Sequence, residues 1–133
     1  MRAVDETILI TFLTNDPPRE AAKCEKMFSR AARKEERLFI PFVVLWKLAR
    51  LLEDRLIGNK DEIISLFRDL FSLKGVTIGS SKFTGQVFRV YESTDLSFSD
   101  SVLVAAIEQK GLTQVYSYNG ERLENHLKVF EPE

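Results

Sequence analysis

The feature that most restricts the fold is the rhythm of apolar runs. Compact triplets such as Leu38-Phe39-Ile40 and Val76-Thr77-Ile78 alternate with longer amphipathic stretches. Strands this short, joined by helices, need crossover connections, so they pair in parallel and the helices cover the sheet on both faces. The expected class is therefore α/β, three layers deep, around a central, mainly parallel sheet of four to five strands. Strands are predicted over residues 1–4, 38–40, 76–78, 114–117 and 128–130.

Between them the helical stripes are legible. After Asp5, residues Ile8, Leu9, Phe12 and Leu13 recur at helical spacing, and Asp16-Pro17-Pro18 breaks that helix. A second helix over 19–34 is predicted to turn Ala22, Met27, Phe28 and Ala31 inward. A third, over 42–56, carries Leu45, Leu48, Ala49, Leu52 and Leu56 on one arc and Lys47, Arg50 and Asp54 on the other. Gly58-Asn59 is read as its end, followed by a helix over 60–73. Ser80 or Ser81 is read as the cap of a helix reaching Glu92. Ser97-Phe98-Ser99-Asp100 opens a last helix through Gln109, stopped by Gly111.

With 133 residues and no internal repeat, low-complexity tract or linker-like segment, residues 1–133 are expected to form one domain. Lys plus Arg number 19 against 20 for Asp plus Glu, so no overall basic field announces nucleic-acid binding, although charge can be segregated onto one face. The lone Cys24 forms no internal disulfide and sits where an inert, packed thiol is expected. His126 is the single histidine, which excludes His-rich zinc sites. No apolar run reaches membrane-spanning length and no secretory pattern opens the chain, so a soluble cytoplasmic protein is expected.

Open parallel sheets gather ligand chemistry beyond the carboxyl ends of their strands. Asp5, Asp100 and Asn119 fall at that edge. Asp100 lies between Leu103, Val104 and Ile107 on the helical wheel, where an unpaired charge is costly to bury. Each acid also has a structural reading, Asp5 as the cap of the first helix and Asp100 in a Ser-x-x-Asp capping arrangement. Two converging carboxylates would suit Mg²⁺ or Mn²⁺, hard ions that take oxygen ligands.

The segments together resemble a known family. Val4-Asp5-Glu6-Thr7-Ile8-Leu9-Ile10, Leu13-Thr14-Asn15-Asp16-Pro17 and Ala21-Ala22 resemble the opening of PIN-domain proteins, particularly VapC-type toxins. Ile40-Pro41 with Val44-Leu45 and Leu51-Leu52-Glu53 resembles their second strand and next helix. Ser97-Phe98-Ser99-Asp100 with Ala105-Ala106 and Gly111 resembles their third acidic segment, and Val115-Tyr116-Ser117-Tyr118-Asn119 the last.

The resemblance implies a PIN-like fold and metal-dependent hydrolysis of RNA phosphodiester bonds. It makes Asp5 and Asp100 metal ligands, Asn119 a weaker ligand, and Ser117 a residue orienting ligand or water. It further implies RNA as substrate, a small antitoxin as partner, and a homodimer. Two positions depart from the pattern. The family's helical Glu falls on Lys47, or on Trp46 if the register slips by one, and its final acid is Asn119. An ammonium beside a metal pocket repels the cation; on the polar arc Lys47 reads more simply as a solvated residue. A catalytically impaired PIN domain that binds RNA or protein therefore stands as the alternative. Glu6, Asp95 and Glu121 lie near enough in sequence to stand in for the missing acids. The phenylalanines, ten in all, sit mostly at core spacing (Phe28, Phe67 and Phe71 among them) and read as packing, not base-stacking platforms. Arg30, Arg33 and Lys34 read more as a solvated face than as phosphate contacts.

Overall fold

The computed structural model describes residues 1–56 and 59–133, so the predicted stop at Gly58 lies outside the described residues. The chain forms two compact units, Met1–Ser81 and Lys82–Glu133.

In the first unit the elements are β1 (Arg2–Ala3), α1 (Glu6–Thr14), α2 (Pro18–Ala32), β2 (Leu38–Ile40), α3 (Phe42–Arg55), α4 (Lys60–Phe71) and β3 (Val76–Ile78). The strands make a three-stranded sheet in the order β1-β2-β3, with every pairing parallel. Register is fixed by Arg2 opposite Leu38 and by Leu38 opposite Val76. Each crossover passes through two helices, as parallel pairing requires.

Local chemistry explains the boundaries. Asp5 caps α1, Asn15 ends it in the left-handed conformation (φ 53°), and Pro18 occupies the first position of α2. Leu9 of α1, Cys24, Phe28 and Ala31 of α2, and Leu45, Leu48 and Leu52 of α3 are buried. The Phe12 and Phe28 rings lie 4.6 Å apart, pinning α1 to α2. Three packing predictions need correcting, the first being Phe71, which sits at core spacing but ends α4 exposed. Ala22 faces solvent, because Ala21, Cys24, Phe28 and Ala31 define the inward arc of α2. Leu56 follows the last turn of α3 and is only half-buried.

Gly75, just before β3, is a position only glycine satisfies. Its φ is +79°, and a Cβ there would sit 2.1 Å from the Ala31 carbonyl oxygen. The end of α2 thus presses directly on the backbone that leads into β3.

The second unit holds α5 (Ser81–Ser93, starting at the boundary), α6 (Phe98–Gln109), β4 (Gln114–Tyr116), a 3-10 turn (Glu121–Leu123) and β5 (Lys128–Phe130). β4 and β5 pair in parallel, with Val115 opposite Val129. Those two valines pack on a core of Leu96, Val104, Leu123 and Leu127. Phe88, Tyr91 and Phe98 make a second apolar centre with edge-to-face rings 5.2–6.2 Å apart. Ser97 caps α6 by accepting the Asp100 amide at 3.1 Å, and Gly111 follows it at φ +75°. The five predicted strands are all present, three pairing in the first unit and two in the second.

Candidate functional site

In the first unit the predicted site residue is Asp5. It stands directly beyond β1, where the chain leaves the strand and opens α1. Its Oδ1 accepts from the Thr7 amide (3.0 Å), the Thr7 hydroxyl (2.5 Å) and the Ile8 amide (3.3 Å). The capping role is therefore real, yet all three donors converge on one oxygen and leave Oδ2 outside the cap. The Thr7 hydroxyl first, then the Ile8 and Thr7 amides and the Lys47 charge, hold the carboxyl below the usual Asp range against the opposing effect of burial. Asp5 is an anion at neutral pH.

Lys47 reaches the same neighbourhood from α3. Its Nζ lies 3.7 Å from Glu6 Oε1, with the lysine side chain 59% exposed and the glutamate 21%. The expectation of a solvated residue on the polar arc holds for its exposure, but it also answers an acid. Glu6, a candidate stand-in for a missing ligand, thus has a resident cation. The pair is too wet to contribute much stability. Its consequence is electrostatic: an ammonium from α3 faces the acidic start of α1.

In the second unit three predicted residues come together. Asp100 sits in the first turn of α6, Ser117 just beyond β4, and Asn119 two residues later. The Asn119 amide donates to Ser117 Oγ at 3.0 Å, closing a tight turn, and the Ser117 amide donates to the Phe130 carbonyl at 2.9 Å. Gly120 then lets β5 approach, since a Cβ there would meet Val129 Cγ1 at 2.1 Å.

What unites them is Arg122, which no sequence pattern singled out. Its Nε donates to Asp100 Oδ2 at 2.9 Å, with side chains 37% and 19% exposed respectively. Its Nη1 donates to the Asn119 carbonyl. The contact spans 22 residues of sequence, beyond the reach of any local periodicity. Asp100 keeps its predicted place on α6 next to apolar neighbours, and the cost of its charge is met by a guanidinium.

Among the described residues no three His, Cys, Asp or Glu side chains gather as a ready metal-binding group. The individual donors still fit a hard cation in one respect. Asp5 and Asp100 each commit one oxygen to a structural contact, Oδ1 to the cap and Oδ2 to Arg122, and each has a second oxygen outside it. Cys24 fulfils the inert expectation: it is buried, and burial followed by the Glu20 charge pushes its thiol pKa up.

The first unit thus joins parallel strands through helices and sets Asp5 beyond β1, and the second sets Asp100 in the opening turn of α6. In sequence the chain is similar to a VapC ribonuclease over nearly its whole length. A VapC ribonuclease of Aquifex aeolicus is 21% identical over 132 residues, covering 99% of this chain and 97% of that one. No family model matches. Two solved structures share more distant likeness. VapC20 of Mycobacterium tuberculosis, a sarcin-ricin loop cleaving toxin, is 14% identical with a TM-score of 0.40, covering 99% of this chain and 100% of that one. VapBC2 of Rickettsia felis, bound to a DNA fragment from its promoter, is 12% identical with a TM-score of 0.42, covering 99% and 98%.

Proposed function

We propose that this chain is a VapC-type ribonuclease that hydrolyses RNA phosphodiester bonds, with residues 1–133 serving as one PIN-like domain. The observation that carries the proposal is the end-to-end similarity to the Aquifex aeolicus VapC ribonuclease. The geometry adds two things: an ionised carboxylate beyond β1 with an oxygen outside its cap, and a turn beyond β4 that assembles Asp100, Ser117 and Asn119 around Arg122.

The cofactor in this proposal is Mg²⁺ or Mn²⁺, held by Asp5 and Asp100 with Asn119 as a neutral oxygen ligand. When bound, such an ion lowers the pKa of water and stabilises charge on a phosphoryl group. The rest falls to the chain's own side chains. Ser117, already fixed by the Asn119 amide, orients a ligand or water. Arg122 holds Asp100 in a single orientation, and its planar fork is suited to a phosphate oxygen. Lys47 and Asn119, standing where the family pattern carries acids, lower the negative charge around the site and so reduce repulsion of the RNA backbone. A small antitoxin as partner, a homodimer and a cytoplasmic setting belong to the same proposal.

The test is calorimetric titration of Mn²⁺ and Mg²⁺ into the wild type and Asp100→Asn, with RNA cleavage measured in the same buffers. Metal binding and cleavage that both disappear in Asp100→Asn support the assignment. A wild type that neither binds metal nor cuts RNA overturns it in favour of a PIN scaffold kept for binding.

A further inference from the structure

The turn that assembles the second-unit cluster is flanked by aromatic side chains that packing does not account for. Tyr116 is 73% exposed, Tyr118 79% and Phe130 39%. Their neighbours Val115 and Val129 point into the core, so the alternation of β4 and β5 sends Tyr116, Lys128 and Phe130 to the outer face. The parallel register sets Tyr116 directly opposite Phe130, with ring centroids 6.2 Å apart. Lys128 Nζ lies 5.4 Å from the centre of the Phe130 ring. Two large rings and a cation on one exposed sheet face, with the exposed Tyr118 in the bend directly after β4, are a costly arrangement for a surface without a ligand.

We propose that Tyr116, Tyr118 and Phe130 form a stacking platform for unpaired bases of RNA, an inference that rests on the ribonuclease reading above. Two features select a single-stranded nucleic acid as the occupant. Aromatic faces beside a cation, here Lys128, suit bases and their phosphates together, and every base offers a π-face whatever its identity. The aromatic and polar positions also alternate, Tyr116-Ser117-Tyr118-Asn119, so each ring is about 3.3–3.8 Å along the chain from a residue of the candidate site. A base stacked on Tyr118 brings its own phosphate to the turn where Arg122 binds Asp100 and the Asn119 carbonyl. The platform fixes which nucleotide stands at the site through stacking strength, favouring unpaired over duplex RNA.

The experiment is fluorescence anisotropy of a labelled single-stranded oligoribonucleotide in EDTA, where binding is read apart from cleavage. The proteins are the wild type, Tyr118→Ala, Tyr116→Ala/Tyr118→Ala and Tyr118→Phe. Loss of one stacked base is expected to weaken binding about 5- to 150-fold in Tyr118→Ala and further in the double variant. Tyr118→Phe retains the ring and stays within about twofold of wild type. An oligomer with abasic sites binds the wild type no better than it binds the double variant. Because both tyrosines are exposed, circular dichroism of the variants should match the wild type. Unchanged RNA affinity in the double variant, alongside wild-type binding and cleavage, overturns the platform and leaves the ribonuclease reading intact. Unchanged RNA affinity with loss of self-association assigns the face to a second copy of the chain and overturns it equally. A wild type that neither binds nor cuts RNA removes the functional reading itself.

Discussion

Arg122→Gln tests whether the second-unit cluster is the device its geometry describes. The side chain makes two directed contacts, to Asp100 Oδ2 at 2.9 Å and to the Asn119 carbonyl. A hydrogen bond to a charged partner contributes about 1.5–3 kcal/mol when shielded. At 37% and 19% exposure this pair is partly wet, which moves it towards the ~0.2–1 kcal/mol of surface ion pairs. Adding ~0.5–1 kcal/mol for the carbonyl contact gives an expected loss of about 1–2 kcal/mol. For a chain of this size that is roughly 3–10 °C in Tm. Urea denaturation of Arg122→Gln, Asp100→Asn and the double variant forms a cycle in which the pair should show a coupling of about 0.5–1 kcal/mol. The same substitution removes a resident cation from Asp100, so Mn²⁺ affinity should rise, by about fivefold for ~1 kcal/mol of relieved repulsion. Stability and metal affinity move in opposite directions, which a merely structural arginine would not produce. Additivity within about 0.3 kcal/mol, together with unchanged metal affinity, would refute the reasoning.

Two further outcomes follow from the first unit. Gly75→Ala forces a side chain into the left-handed region and against the Ala31 carbonyl, and is expected to cost about 2–4 kcal/mol, measured by urea or thermal unfolding. At Asp5 two variants separate the cap from the chemistry: Asp5→Ala should lose about 0.5–2 kcal/mol, whereas Asp5→Asn keeps the cap and most of the stability but loses metal binding. Because the folded carboxyl titrates below its unfolded value, its stabilising contribution is fully present above the ordinary Asp range. It is lost as pH falls through the lowered folded value, so the stability gap between wild type and Asp5→Ala should narrow only under acid conditions.

Much of the fold was legible because it is written in short-range periodicity. The triplets 38–40 and 76–78 became strands, the Leu45-Leu48-Ala49-Leu52 arc of α3 became buried, and the caps at Asp5 and Ser97 formed where their residue types demand. These are local signals, set by two- and 3.6-residue repeats and by backbone groups seeking partners within one turn. The inward arc of α2 was less legible, because alanines at 21 and 22 are equally acceptable on either side and only the position of Phe28 and Cys24 against α1 separates them.

Of the candidate site, the sequence determined which residues offer a carboxylate, a hydroxyl or an amide: Asp5, Asp100, Ser117 and Asn119. Only the tertiary structure decided what those groups face. Lys47 meets Glu6 across the α1 and α3 helices, and Arg122 meets Asp100 across 22 residues. The exposure of Tyr116 opposite Phe130 likewise depends on a parallel register between β4 and β5. Residue type and spacing fix a group's chemistry and its side of an element, whereas its partners depend on long-range packing, in which the energy of many apolar contacts sets the register before any single ion pair contributes.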